Sequence, residues 1–128
     1  MTPALSAVTY LVRDYDEAIA WFTSVLGFEL LEDVALPGGK RWVKVAASRN
    51  EAALLLAKAD SPEQVAAIGR AAGGRVAYFL YTDDFAASHA RMTAAGVAFR
   101  EDPRHEPYGT VAVFDDLYGN GWDLIEPK

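Results

Sequence analysis

Few residues in this chain are equipped for chemistry. There is no cysteine, which excludes disulfide staples, thiolate metal sites and cysteine nucleophiles together. The two histidines, His89 and His105, stand apart in sequence. His89 falls between Phe85 and Met92 at helical spacing, so it reads as the half-buried side of an amphipathic helix rather than as a ligand. His105 lies in Asp102-Pro103-Arg104-His105-Glu106-Pro107-Tyr108-Gly109, a polar and aromatic segment punctuated by two prolines. A loop held by a rigid scaffold can carry function. Here it could form a lid, with His105, Glu106 or Tyr108 touching a ligand and His105 acting as acid or base near neutral pH. The plain alternative is a solvent-exposed loop. Two acidic pairs have simple explanations: Asp115-Asp116 before Tyr118-Gly119-Asn120 is ordinary turn chemistry, and in Asp83-Asp84 the second residue caps a helix.

The elements that must position these groups are bounded by composition. The chain has 128 residues, 52% of them apolar, and a formal charge of −6. That supports one core and argues against disorder. Nucleic acid is not an expected partner, because a phosphate backbone needs a basic stripe. No apolar stretch approaches the ~20 residues that span a bilayer. Met1-Thr2-Pro3-Ala4 shows no signal-peptide pattern, so the expected location is the cytoplasm.

Residues 5–12 read as a strand, followed by a helix capped at Asp14 with Glu17 at the capping-box position. Ala18, Ile19, Phe22, Val25 and Leu26 recur at helical spacing up to the stop glycine, Gly27. Strand signals follow at 28–34, 41–47 and 52–56, with Pro37-Gly38-Gly39-Lys40 as a hairpin turn. Ser61-Pro62-Glu63-Gln64 starts a short helix expected to run to about Arg70 and to end at Gly73-Gly74. The second half repeats the pattern: strand 76–82, cap Asp84, a helix buried through Phe85, Ser88, Met92 and Ala95, stop glycine Gly96, then strands at 97–101, 110–115 and 121–125. An offset of 70 matches Ala7 to Ala77, Asp14 to Asp84 and Tyr15 to Phe85. This is an α+β chain of tandem βαβββ modules: module one at 1–57, a linker helix at 58–74 and module two at 75–128. The repeat is an architectural signal in its own right, since one unit alone leaves a sheet face uncovered.

The chain resembles the vicinal oxygen chelate superfamily, the glyoxalase / bleomycin-resistance / extradiol-dioxygenase group. The likeness rests on Val8-Thr9-Tyr10-Leu11-Val12-Arg13-Asp14-Tyr15-Asp16-Glu17-Ala18 and Leu26-Gly27-Phe28 in the first half. In the second half it rests on Thr82-Asp83-Asp84, Ala94-Ala95-Gly96-Val97 and Phe114-Asp115-Asp116-Leu117-Tyr118-Gly119-Asn120-Gly121-Trp122-Asp123-Leu124. The resemblance implies curved mixed sheets around a cleft, with helices on the outer faces. In the enzymes of that group it also implies four inward ligands for a divalent metal that acts as a Lewis acid on vicinal oxygens.

Carried over residue by residue, those four positions fall on Ala7, on Ala53 (or Leu54 or Leu55 if the register slips), on Ala77 and on Asp123. Only Asp123 can coordinate, so no metal or other cofactor is expected. The same mapping with strand alternation turns Ala7, Thr9, Leu11, Ala53, Leu55, Ala77, Phe79, Tyr81, Asp123 and Ile125 toward the cleft. It leaves Val8, Tyr10, Val12, Tyr78, Leu80, Trp122 and Leu124 as core. The faces of Trp42 and Lys44 stay open. An apolar, aromatic cleft with one carboxylate suits a small aromatic or cationic molecule, with Thr9, Leu11, Leu55, Phe79, Tyr81, Tyr108 and Asp123 as its contacts. The expected function is metal-free binding of such a ligand, as in drug-sequestering bleomycin-resistance proteins. The alternative is a glyoxalase-like lyase or isomerase, or a ring-cleaving dioxygenase, with an atypical metal or a His105/Asp123 acid–base site. The resemblance further implies a homodimer.

Overall fold

The computed structural model describes residues 1–128, which divide into two compact units, residues 1–68 and 69–128. The first unit runs β1 (Ala7–Val12), α1 (Tyr15–Ala20), β2 (Glu29–Ala35), β3 (Arg41–Ala46), β4 (Ala53–Lys58) and α2 (Pro62–Ala67). Asp14 caps α1, its carboxylate accepting the Glu17 N–H at 2.8 Å. The helical run expected through to Gly27 changes pitch on the way. Trp21–Val25 form a π-helical turn in which the Leu26 N–H reaches back to the Trp21 carbonyl. Ala18, Phe22 and Leu26 are all buried. A strict four-residue spacing drifts off one face of a 3.6-residue helix, and a wider turn holds it there.

The four strands are ordered β1-β4-β3-β2, with β1 parallel to β4 and the other pairs antiparallel. Tyr10, Val12, Val43, Val45, Leu54 and Leu56 are buried with Ala18 and Phe22. This is the helix-covered face. Val8, expected in that core, is 41% exposed, whereas Tyr10 and Val12 further along the same strand are buried. Ala53 shares the face of Leu55, as expected, but is buried there.

The second unit runs β5 (Val76–Tyr81), α3 (Phe85–Ala94), β6 (Ala98–Phe99), β7 (Arg104–Glu106), β8 (Gly109–Asp115) and β9 (Gly121–Pro127). Asp84 caps α3 through the Ala87 N–H at 3.0 Å. Phe85 and Met92 are the buried residues of that helix, whereas Ala95 is exposed. The sheet order is β5-β9-β8-β6, with β7 also paired to β8. Phe114, Trp122 and Leu124 are buried on the α3 side; Ile125 lies on the face expected of it, opposite α3, and is buried there. Each module thus carries its own mixed sheet.

Three further expectations are corrected. The strand at 97–101 shrinks to Ala98–Phe99, because the Glu101 carboxylate, rather than a strand carbonyl, accepts the Val113 N–H at 3.0 Å. The segment 102–109 is less a free loop than a hairpin arm: β7 pairs Arg104, His105 and Glu106 with Val111, Thr110 and Gly109. The Ser61-capped helix also stops early, at Ile68. Gly69 follows at φ +79°, and a Cβ there would stand 2.2 Å from the Tyr118 carbonyl oxygen. No helix is long and apolar enough to cross a membrane.

Candidate functional site

The pairing registers assemble the site in module two. Phe79 pairs with Asp123 and Asp123 with Val113, forming one row across the sheet. Tyr81, Ile125, Val111 and Arg104 form the next row. Directly paired residues share a face and neighbours along a strand alternate. Trp122 and Leu124 are buried on the helix side, so Phe79, Tyr81, Asp123 and Arg104 occupy the face turned away from α3. Phe79 is 63% and Tyr81 70% exposed, a large aromatic area outside the core.

Asp123 is the exceptional residue of that face. Its Oδ1 is inaccessible to water and has no hydrogen-bond partner. Burial raises its pKa above the ordinary carboxylate value; Arg104 opposes the rise and Glu101 adds to it. Arg104 is already engaged, by Glu101 at 2.9 Å and Glu106 at 3.1 Å, with Tyr108 beside it. Three carboxylates therefore share one guanidinium, and the face favours an incoming cation.

His105 does not join this group. It alternates with Arg104 and pairs with Thr110, which itself pairs with Glu126, so it points to the opposite face of the sheet. There it is exposed, its Nδ1 3.3 Å from the Thr110 hydroxyl. His89 is held between the rings of Phe85 and Phe99, with centroids 5.6 and 4.2 Å away. Asp116 is a buried turn anchor. It accepts from the Tyr118 and Asn120 backbone N–H groups, from the Asn120 amide and from Trp122 Nε1.

In module one the register pairs Thr9 with Leu55, Leu55 with Lys44 and Lys44 with Glu32, and it pairs Leu11 with Ala57. Thr9, Leu11 and Leu55 thus share one face. The structure also resolves the open question of Trp42 and Lys44: both alternate with the buried Val43, so both lie on the Leu55 face. Lys44 donates to the Ser6 hydroxyl at 3.1 Å and lies 3.5 Å from the Glu32 carboxylate.

These registers also test the fit of a metal. Thr9 pairs with Leu55 as Phe79 pairs with Asp123, which makes Leu55 the counterpart of Asp123. The four positions are then Ala7, Leu55, Ala77 and Asp123, a set with a single donor side chain. No three His, Cys, Asp or Glu side chains come together in a metal-holding group elsewhere. A divalent ion held by protein needs three or four ligands, and this donor set does not fit one.

A family model described as the Glyoxalase/Bleomycin resistance protein/Dioxygenase superfamily matches residues 4–124. The chain belongs to that superfamily. It is 47% identical to an uncharacterized protein of Shewanella frigidimarina (strain NCIMB 400), covering 98% of this chain and 95% of the relative. Among solved structures it is similar to UcmS2, at 32% identity and a TM-score of 0.83, covering 98% of this chain and 99% of that one. It is also similar to TnmS3, an antibiotic binding protein from Streptomyces sp. CB03234, at 28% identity and a TM-score of 0.77, covering 99% and 98%.

For this superfamily member, sequence reasoning missed Glu101, Arg104, Trp42 and Lys44. The alternating charges of Glu101 and Arg104 were visible, but they gain meaning only once β7 is known to lie on β8. Trp42 and Lys44 needed only a fixed register for the Arg41–Ala46 strand.

Proposed function

We propose that this superfamily member is a metal-free binding protein for a small aromatic or cationic molecule. The observation that carries the reading is the unpartnered, water-inaccessible Oδ1 of Asp123, in register with exposed Phe79 and one row from exposed Tyr81. A buried acceptor without a donor is costly. A ligand ammonium would compensate the charge of this carboxylate across the sheet face, while the two rings offer π faces to the same cation. The likeness to an antibiotic binding protein supports small-molecule capture, as does a set of strand positions with one donor where a metal needs several. An acid–base enzyme using His105 with Asp123 is disfavoured by their placement on opposite faces of the sheet. We also propose that the protein acts as a cytoplasmic homodimer, which light scattering on the purified chain and fractionation of its host would test.

The test is a thermal-shift screen of planar aromatic amines against their uncharged analogues, on the wild type and on Asp123→Leu, alongside elemental analysis after metal loading and desalting. The expected result is stabilisation by amines that is lost in the variant, with metal far below one ion per chain. Near-stoichiometric metal, or amines and neutral analogues acting alike, would overturn the reading.

A further inference from the structure

Arg100 turns to the same side of module two as Asp123. Its backbone N–H donates to the Val113 carbonyl at 2.8 Å, one step beyond the Phe99–Phe114 pair of β6 and β8. Phe114 is buried on the α3 side, so alternation sends the Arg100 side chain to the opposite face. Asp115 and Gly121 pair directly and share that face, and the guanidinium reaches both. Nε and Nη2 donate to the Asp115 carboxylate at 2.9 and 2.6 Å. Nη1 and Nη2 would each stand 3.2 Å from a Cβ built on Gly121. The Gly121 backbone has no positive φ, so glycine serves here for space rather than for conformation. The missing side chain is the seat of Arg100.

This seat leaves a donor without net charge. Nη2 also approaches the Gly119 carbonyl at 3.4 Å, whereas Nη1 has no hydrogen-bond partner. The side chain is 42% exposed, so the Nη1 hydrogens are open to a ligand. Asp115 already balances the charge of Arg100. On the rest of the face Glu101, Glu106 and Asp123 outnumber Arg104. A further carboxylate is therefore disfavoured, and Nη1 suits a neutral acceptor. The strand sets the distance. Gly121 and Asp123 are consecutive on this face of β9, about 7 Å apart at the rise of an extended chain. Phe79, paired with Asp123, flanks the interval.

We propose that Arg100 is a specificity residue of this face, selecting aromatic amines that carry an uncharged carbonyl oxygen about 7 Å from the ammonium. The assignment rests on the amine-binding reading of Asp123 and narrows its ligand class. The ammonium pairs with the Asp123 charge, the ring lies along β9 beside Phe79, and the carbonyl accepts from Nη1 over Gly121. A single benzene ring with para substituents spans that length.

Four probes test it by calorimetry on the full chain: para-(aminomethyl)benzamide, its meta isomer, para-(aminomethyl)benzoate, and para-methylbenzylamine, which lacks the acceptor. The para benzamide is expected to bind about fivefold more tightly than para-methylbenzylamine, the worth of one net hydrogen bond. It should also exceed the benzoate and the meta isomer. The double variant Arg100→Met, Asp115→Ala removes the donor without changing net charge, so it should erase that advantage and leave para-methylbenzylamine unchanged. Gly121→Ala should act in the same direction by displacing the guanidinium, with circular dichroism confirming the fold of both variants. If para-methylbenzylamine binds, loses affinity in Asp123→Leu, and matches the benzamide, this inference alone is overturned. If para-methylbenzylamine fails to bind, or ignores Asp123→Leu, the amine-binding reading falls with it. A benzamide advantage that survives the double variant, or a benzoate that binds more tightly than the benzamide, would also overturn the role of Arg100.

Discussion

Replacing Asp123 by leucine should make this protein more stable. The counterpart position in module one already holds Leu55, at the same register against its parallel neighbour, so the strand geometry accepts that side chain. In the native protein the Asp123 Oδ1 is buried without a donor, a condition that costs about 1–3 kcal/mol. Against this stands the loss of attraction to Arg104. That guanidinium is already shared by Glu101 and Glu106 and is 40% exposed, so screening holds the attraction to about 0–1 kcal/mol. The net gain is then on the order of 1 kcal/mol, or about 3–6 °C in Tm for a chain of this size.

The pH dependence of the Asp123→Leu gain follows from the direction of the pKa shift. Burial raises the folded pKa of Asp123 above the ordinary value, so its charge is penalised in the native state. The penalty is fully present above the folded pKa and disappears as pH falls below the usual aspartate value near 3.8. Urea unfolding of both proteins should therefore show a gap at pH 7 that closes in acid, other carboxylates cancelling in the difference. A variant equal to or weaker than wild type at pH 7, or a gap that widens in acid, would refute the idea that the carboxylate is uncompensated.

Four further outcomes follow from the same geometry. Phe79→Ala and Tyr81→Ala should each leave the unfolding free energy within about 0.5 kcal/mol, as expected for exposed side chains, yet reduce the thermal shift produced by aromatic amines. Asp116→Ala should cost about 2–4 kcal/mol in urea unfolding, because it orphans Trp122 Nε1 and the Asn120 donors inside the turn; Trp122 emission gives an independent readout. Gly69→Ala should destabilise by well over about 1 kcal/mol, since its Cβ would collide with the Tyr118 carbonyl. Gly38→Ala, with the same sign of φ but open space around it, should pay only the backbone penalty of about 1 kcal/mol.

Local chemistry made much of this protein legible from its sequence. Asp14, Ser61 and Asp84 cap the helices that their spacing indicated, because a capping oxygen serves an N–H only two or three residues away. Strand alternation correctly paired Tyr10 and Val12 with the core and turned Phe79, Tyr81 and Asp123 the other way. The 70-residue repeat gave the tandem modules, and the absence of donors at Ala7 and Ala77 could be read off the chain directly. What failed were features that depend on partners distant in sequence. Segment 102–109 looked like a loop because prolines and charges dominate it, whereas β8 supplies the ladder that makes Arg104–Glu106 a strand. That pairing alone sends Arg104 toward Asp123 and His105 away from it, since consecutive strand residues take opposite faces. The counterpart of Asp123 lay among Ala53, Leu54 and Leu55 until the β1–β4 register selected Leu55.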